Sequence, residues 1–184
     1  MEFLLLFPML VWLFIALFVY WDVFRAANTA QKGAYSIADA ISRQGQLSDD
    51  YVDGMQEVFE FLLNNPSSPS ELLITSIDYN KTDEEYRLMF SWSPEGKWTD
   101  GVHDETTINE APFKDRIPLM AAGDGVLVVE TLVKYEPAFD IGFNILIMAY
   151  SGSLDDQEFY QFIVTRPRFD RRICLISSPC PTEL

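Results

Sequence analysis

Few residues of this chain have a type and spacing that could carry out chemistry. His103 is the only histidine, which excludes a metal site built on several imidazole ligands. It lies in an acidic stretch beside Asp104 and Glu105, and we expect it to be solvated and to bind no metal. No serine lies in a Gly-x-Ser-x-Gly turn, and no glycine-rich phosphate loop is present. We therefore predict a protein that is not an enzyme, with no catalytic residues and no cofactor.

Acidic residues are the remaining candidates for chemistry. Two groups offer the oxygen ligands that Ca²⁺ prefers, namely Asp155 with Asp156 and Glu158, and Asp104 with Glu105. Neither group matches the twelve-residue calcium loop. Charge runs of this kind usually form a solvated face, and calcium binding stays an open alternative. No pair among the 28 acidic residues stands out for general acid and base catalysis.

The two cysteines, Cys174 and Cys180, are separated by five residues. They are close enough to form a disulfide in an oxidising compartment, and two unpaired thiols are the alternative. We expect the disulfide if this region lies in the periplasm. Its contribution to stability would be modest, because such a short loop restricts the unfolded chain little.

The first structural element is an apolar segment long enough to cross a membrane. After Glu2, the nineteen residues 3–21 carry no charge. As a helix at about 1.5 Å per residue they would span roughly 28 Å, close to the thickness of the hydrocarbon core. No small-residue cleavage site follows, so we interpret the segment as a retained anchor. A carboxylate at its edge is costly, and Glu2 therefore either reaches the interface or pairs with a cationic partner.

The helical pattern continues beyond Trp21 as an alanine-rich stripe. We predict one helix of roughly forty residues that contains Pro8 as a kink and ends near Gly45. The stripe packs on its own domain, on the same helix of other subunits, or on both at different levels. Its members recur at spacings of three and four on one face, and they are Val23, Ala27, Ala30, Ala34, Ile37 and Ile41.

The formal charge divides the chain into a helix, residues 1–46, and a single acidic head, residues 47–184. Acidic and basic residues balance within 1–46, so the whole net charge of −15 falls on the head. Such an excess disfavours binding of the head to nucleic acid or to anionic lipid. The length of the head suits one domain.

Periodicity predicts an α+β head. Ser48 is a candidate N-cap for a second helix with an apolar stripe from Val52 to Leu62, and residues 64–70 form the loop that ends it. A hairpin follows, with strands 72–79 and 86–92, one face on the core and the other facing water or a partner. Residues 97–125 are irregular. Strands 126–135 and 159–164 complete an antiparallel sheet of about four strands, and the apolar patch 145–150 is a buried strand or short helix.

Short motifs in this chain resemble the TadE and TadF-like pseudopilins of the tight adherence (Flp) pilus. The opening Glu2-Phe3-Leu4-Leu5-Leu6-Phe7-Pro8 is similar to the start of these proteins. Further motifs follow in the same order along nearly the whole chain: Phe24-Arg25, the run from Gln31 to Asp39, Arg43-Gln44, Val129-Glu130, Tyr135-Glu136-Pro137 and Arg166-Pro167-Arg168.

The resemblance implies a type IV pilin-like protein of the inner membrane, with one membrane pass and a head in the periplasm that can be carried into the extracellular pilus. Glu2 would pair with the terminal amine of a neighbouring subunit inside an apolar bundle, and the stripe would serve subunit assembly. The partners would be other pilin or pseudopilin subunits, the Tad assembly machinery and the membrane. Arg166 and Arg168 would either pair with the acidic head or remain solvated.

One departure from the family pattern concerns the N-terminus. Substrates of prepilin peptidase carry a basic leader and a glycine, with the glutamate usually fifth in the mature chain, whereas only Met1 precedes Glu2 here. Either the natural start lies upstream or the chain is not processed in that way. The basic residues that follow the span would by themselves favour the opposite orientation.

The sequence therefore predicts a non-enzymatic minor pilin or pseudopilin that takes part in the initiation, priming or tip assembly of a Tad/Flp pilus. The alternative is a membrane-tethered periplasmic binding or sensor domain, in which residues 97–125 carry recognition. A tethered hydrolase would need a convergent polar triad that the sequence does not reveal.

Overall fold

A computed structural model describes residues 2–63, 69–80, 84–94, 98–99, 101–136, 157–178 and 180. Several predicted features lie outside the described residues: the apolar patch 145–150, Asp155 and Asp156, residues 81–83 between the two hairpin strands, and residues 64–68 of the loop after the second helix. The elements in chain order are α1 (Glu2–Ser42), β1 (Gln46–Leu47), α2 (Asp49–Leu63), β2 (Ser70–Asn80), β3 (Glu85–Trp92), α3 (Glu105–Asn109), α4 (Phe113–Arg116), β4 (Gly125–Tyr135), β5 (Gln157–Thr165) and β6 (Cys174–Leu175).

The fold is α+β, as predicted, and is built on a four-stranded antiparallel sheet in the order β3-β2-β4-β5. The hairpin and both later strands form at the positions where alternating side chains predicted them. The prediction that the second face of the hairpin would face water or a partner was wrong. Short helices cover that face, so β2 has nine buried residues among its eleven, as a central strand between two layers should.

The first face of the sheet packs against α1 and α2. Ala30, Ala34, Ile37 and Ile41 of α1 are buried there, together with Phe59 of α2. The Phe59 ring lies so close to Gly33 that a Cβ atom at that position would come within 3.1 Å of it. Small residues on α1 therefore allow the two helices and the sheet to approach closely.

The second face of the sheet packs against α3 and α4, inside the stretch that was predicted to be irregular. Ile108, Phe113 and Ile117 cover the β2 and β4 side chains of this face, among them Ile77 and Val128. Asp104 is the N-cap of α3, and its carboxylate accepts a hydrogen bond from the Thr107 backbone N–H at 2.8 Å. The signal for α3 was present in the sequence as this capping residue, but five helical residues are too few to show a period.

The C-terminal segment crosses the end of the head and fastens it to α1 and to β2. Strand β6 pairs in parallel with β1, and the predicted disulfide between Cys174 and Cys180 is present. Arg172 approaches Asp78 of β2 at 3.0 Å, where Arg87 also donates two hydrogen bonds to the same carboxylate. Asp78 is completely buried.

Candidate functional site

The first candidate site is the part of α1 that projects from the head. Most of the large apolar side chains from Phe3 to Phe24 that the structure describes are exposed, whereas Val19 is buried and Val23 is half-buried. By length and composition α1 is able to cross a membrane. The side chain of Glu2 lies outside the described part of the chain.

The predicted assembly stripe is divided between two environments. Val23 and Ala27 are half-buried, whereas the four members from residue 30 onward are buried in the core of the head. At that level the stripe packs on its own domain. The buried part of the stripe is therefore not available for contact with another chain.

A hydrogen bond ties the head to α1 immediately after the apolar segment. The Tyr135 hydroxyl at the end of β4 donates to Asp22 Oδ2 at 2.5 Å. Burial, the hydrogen bond to Asp22 and the charge of Asp22 raise the pKa of Tyr135 to about 12. The phenol therefore stays protonated to a higher pH than an ordinary tyrosine, and it holds the strand end against the helix.

The second candidate site is a cleft on the opposite face of the sheet, around the carboxylate of Glu130. This β4 residue is only 3% exposed. The Tyr160 hydroxyl donates to Glu130 Oε1, and His103 Nε2 lies 2.5 Å from Glu130 Oε2. A carboxylate inside a protein needs such donors, because without them it loses its hydration with no replacement.

The prediction that His103 is solvated was wrong. Its side chain is 15% exposed, and its ring contacts Phe113 edge-on with the centroids 4.6 Å apart. The acidic neighbours Asp104 and Glu105 suggested a hydrated loop, but Glu130 lies 27 residues away in sequence and reaches His103 only through the tertiary fold.

Arg116 completes the cleft from α4. Its guanidinium lies 3.7 Å from the centroid of the Phe162 ring, and its Nη1 donates to the Tyr160 hydroxyl at 3.2 Å. Burial raises the pKa of Tyr160, and the hydrogen bond to Glu130 and the negative charge of Glu130 raise it further. The hydrogen bond and positive charge of Arg116 lower the pKa of Tyr160 and offset part of this shift. The result is a chain of hydrogen bonds from Arg116 through Tyr160 to Glu130.

The cleft has a volume of about 260 Å³ and is lined by both polar and apolar groups. Its lining also includes Thr107, Glu110, Ala111, Pro112 and Phe113. Among the residues that the structure describes, no group of three potential metal ligands comes together. The arrangement can therefore bind a ligand through hydrogen bonds, one cation and aromatic contacts.

The other predicted site residues have structural partners. Arg168 pairs with Asp39 of α1, which also binds Arg43, so Arg168 fastens the C-terminal segment to the helix. Arg166 Nη1 lies 3.9 Å from Asp124 Oδ2. Two of the acidic residues considered as calcium ligands have other surroundings: Asp104 caps α3, and Glu158 lies 4.0 Å from Lys134.

Neither a family model, nor a curated protein, nor a solved structure matches this chain significantly.

Sequence reasoning missed the cleft, although Glu130 gave a signal. It is a charged residue inside a predominantly apolar strand, and such a residue needs a partner when it is buried. Tyr160 and Arg116 gave no comparable signal.

Proposed function

We propose that this chain is a non-enzymatic minor pilin or pseudopilin, anchored in the inner membrane, that takes part in the initiation, priming or tip assembly of a Tad/Flp-type pilus. The observation that carries the proposal is the double role of α1. One continuous helix supplies both the exposed apolar segment and part of the core of the head.

Because α1 is one continuous helix, the position of its apolar segment fixes the position of the head. A helix of 41 residues is roughly 60 Å long. One face of its second half packs in the core of the head through buried side chains such as Ala34 and Ile41. The Tyr135–Asp22 hydrogen bond fixes the head at the point where the apolar segment ends. When such helices pack together, the heads take a defined register. A simple tether gains nothing from this coupling.

The exposed apolar segment also calls for a partner whenever it leaves the lipid. Its large side chains, including Phe3, Phe7 and Phe14, are exposed in the isolated chain, and each would cost about 1.5–3 kcal/mol if transferred to water. A bundle of similar helices replaces the lipid at no such cost. Within that bundle, the Glu2 carboxylate would be tolerated if it pairs with the terminal amine of a neighbouring subunit.

Two features of the head support a location outside the cytoplasm. The Cys174–Cys180 disulfide is of a kind that persists in oxidising compartments such as the periplasm. The net charge of −15 lies on the head, which keeps it solvated and away from anionic lipid. We therefore propose that the head lies in the periplasm, with incorporation into the extracellular pilus as the end of the assembly step.

The first test is the Glu2→Ala variant in the native host, with Glu57→Ala as the matched control, since Glu57 is an exposed carboxylate on α2. We expect Glu2→Ala to abolish surface pili while the protein accumulates normally in the membrane, and the control to assemble pili. Normal piliation of the Glu2→Ala strain would refute the assembly role of Glu2.

A membrane-tethered binding or sensor domain is the second candidate function, and the cleft around Glu130 favours it. Replacing residues 3–21 by an unrelated apolar segment of the same length distinguishes the two. Pilus assembly requires the specific helix and should be lost, whereas a tethered binder should keep its function as long as the protein reaches the membrane.

A further inference from the structure

We propose that the cleft around Glu130 binds a small ligand through its carboxylate group, and that Arg116 is the residue that recognises it. The inference concerns the head alone and does not depend on the assembly role of α1. Arg116 of α4, Tyr160 of β5 and His103 of the loop before α3 converge on this cleft.

The first step of the argument is the state of Arg116. Five other arginines lie within ion-pair distance of an aspartate: Arg43, Arg87, Arg166, Arg168 and Arg172. Arg116 differs from them, because among the described residues its only hydrogen-bond partner is the Tyr160 hydroxyl. In a chain with 28 acidic and 13 basic residues, a guanidinium at a cleft without a described carboxylate partner is available to an external anion.

The second step is orientation. The Phe162 ring supports the flat face of the guanidinium, and the Tyr160 hydroxyl accepts one of its N–H groups. A guanidinium held in this way has lost part of its side-chain freedom before a ligand arrives, so less is lost on binding. Its remaining N–H groups can form two parallel hydrogen bonds with a carboxylate.

The third step is selection of the ligand class by charge and size. Glu130 and Glu110 also line the cleft, and their negative charges disfavour a dianion such as a phosphate monoester. A single carboxylate is the anion that one guanidinium neutralises. The cleft volume of about 260 Å³ lies below the range usual for drug-sized ligands, which limits the ligand to roughly one monosaccharide or a short organic acid.

The test compares the binding of acids with the binding of neutral analogues of the same shape (each acid's neutral twin), using the full-length protein in detergent micelles. The probes are D-glucuronate against D-glucuronamide, and propionate against propionamide. Binding of each probe is measured by ligand-observed NMR titration up to about 10 mM, where weak millimolar binding is still visible. We expect at least one acid to bind about tenfold or more tightly than its neutral twin, because a charge-assisted pair is replaced by a neutral contact.

Variants identify the residue that carries the preference. Arg116→Gln should reduce binding of the acid to the level of its twin, and Arg116→Lys should retain part of it, since the charge remains but the bidentate geometry is lost. Lys114→Gln is the control, because it removes an exposed cation from the same helix. Thermal unfolding of each variant confirms that the head is folded.

Three results would overturn the proposal: no saturable binding of either acid, equal binding of acid and neutral twin, or acid binding that survives in folded Arg116→Gln. These binding results do not test pilus assembly, so failure of the carboxylate proposal is distinguishable from failure of the proposed function.

Discussion

The buried carboxylate of Asp78 should be worth several times more to stability than an exposed carboxylate with the same kind of partners. Asp78 is 0% exposed and accepts hydrogen bonds from Arg87 at 2.9 and 3.1 Å, with Arg172 at 3.0 Å. Removing one partner of a buried pair costs about 3–5 kcal/mol, because charge remains inside the protein without compensation. Both arginines retain some access to water, so we expect Asp78→Ala to cost about 3 kcal/mol, the lower end of this range.

Asp39 provides a matched control within the same molecule. It also binds two arginines, Arg43 and Arg168, but its side chain is 40% exposed. Exposed pairs contribute about 0–1 kcal/mol, and an acidic residue near the end of a helix is unfavourable to the helix dipole. Asp39→Ala should therefore change the free energy of unfolding by less than about 1 kcal/mol.

The assay is urea unfolding of the full-length protein in detergent, followed by tryptophan fluorescence. With a slope of about 2 kcal/mol per molar urea, the loss expected for Asp78→Ala lowers the midpoint by about 1.5 M. Added salt should remove what remains of the Asp39→Ala effect and should leave that of Asp78→Ala, because buried pairs are screened much less. Equal midpoint shifts for the two variants would show that burial does not set the strength of these clusters.

Two further predictions concern the attachment of α1 to the head. Phe59→Ala should cost about 3–5 kcal/mol in urea unfolding, since the ring is fully buried against Gly33, whereas Phe61→Ala, at 82% exposure, should change stability by no more than about 0.5 kcal/mol; similar costs would contradict the packing. The pKa of Tyr135 is about 12 in the folded protein, above its usual value of 10.0, so its contribution is complete below pH 10 and is lost as pH rises toward 12. The unfolding midpoint should therefore fall less steeply over this interval in Tyr135→Phe than in the wild type, and identical slopes would rule out the stabilising bond to Asp22.

The sequence alone was sufficient for the elements whose signal is local. The charge-free run of residues 3–21 and the spacing of the stripe predicted α1, and alternation predicted the strands of the sheet. These patterns are readable because a helix and a strand each place side chains on one face at a fixed period. The two cysteines predicted their own disulfide for a similar reason, since a short separation already limits where they can go.

Tertiary structure decided which residues meet. Glu130 lies opposite Phe162 in the β4–β5 register. Tyr160 is two residues from Phe162 on β5 and therefore lies on the same face, where its hydroxyl reaches the Glu130 carboxylate. The connection between β3 and β4 supplies His103 and Arg116 to the same cleft. No local pattern encodes such a meeting, because it depends on strand order and on which helix covers which face.

The same division applies to the alanine stripe of α1. Its spacing shows that one face of the helix is apolar, but periodicity is identical whether the partner is the same chain or another subunit. The structure places the stripe beyond residue 30 in the core of the head, where the sheet and α2 cover it. The sequence determined that this face must be buried, and only the packing of the sheet decided what buries it.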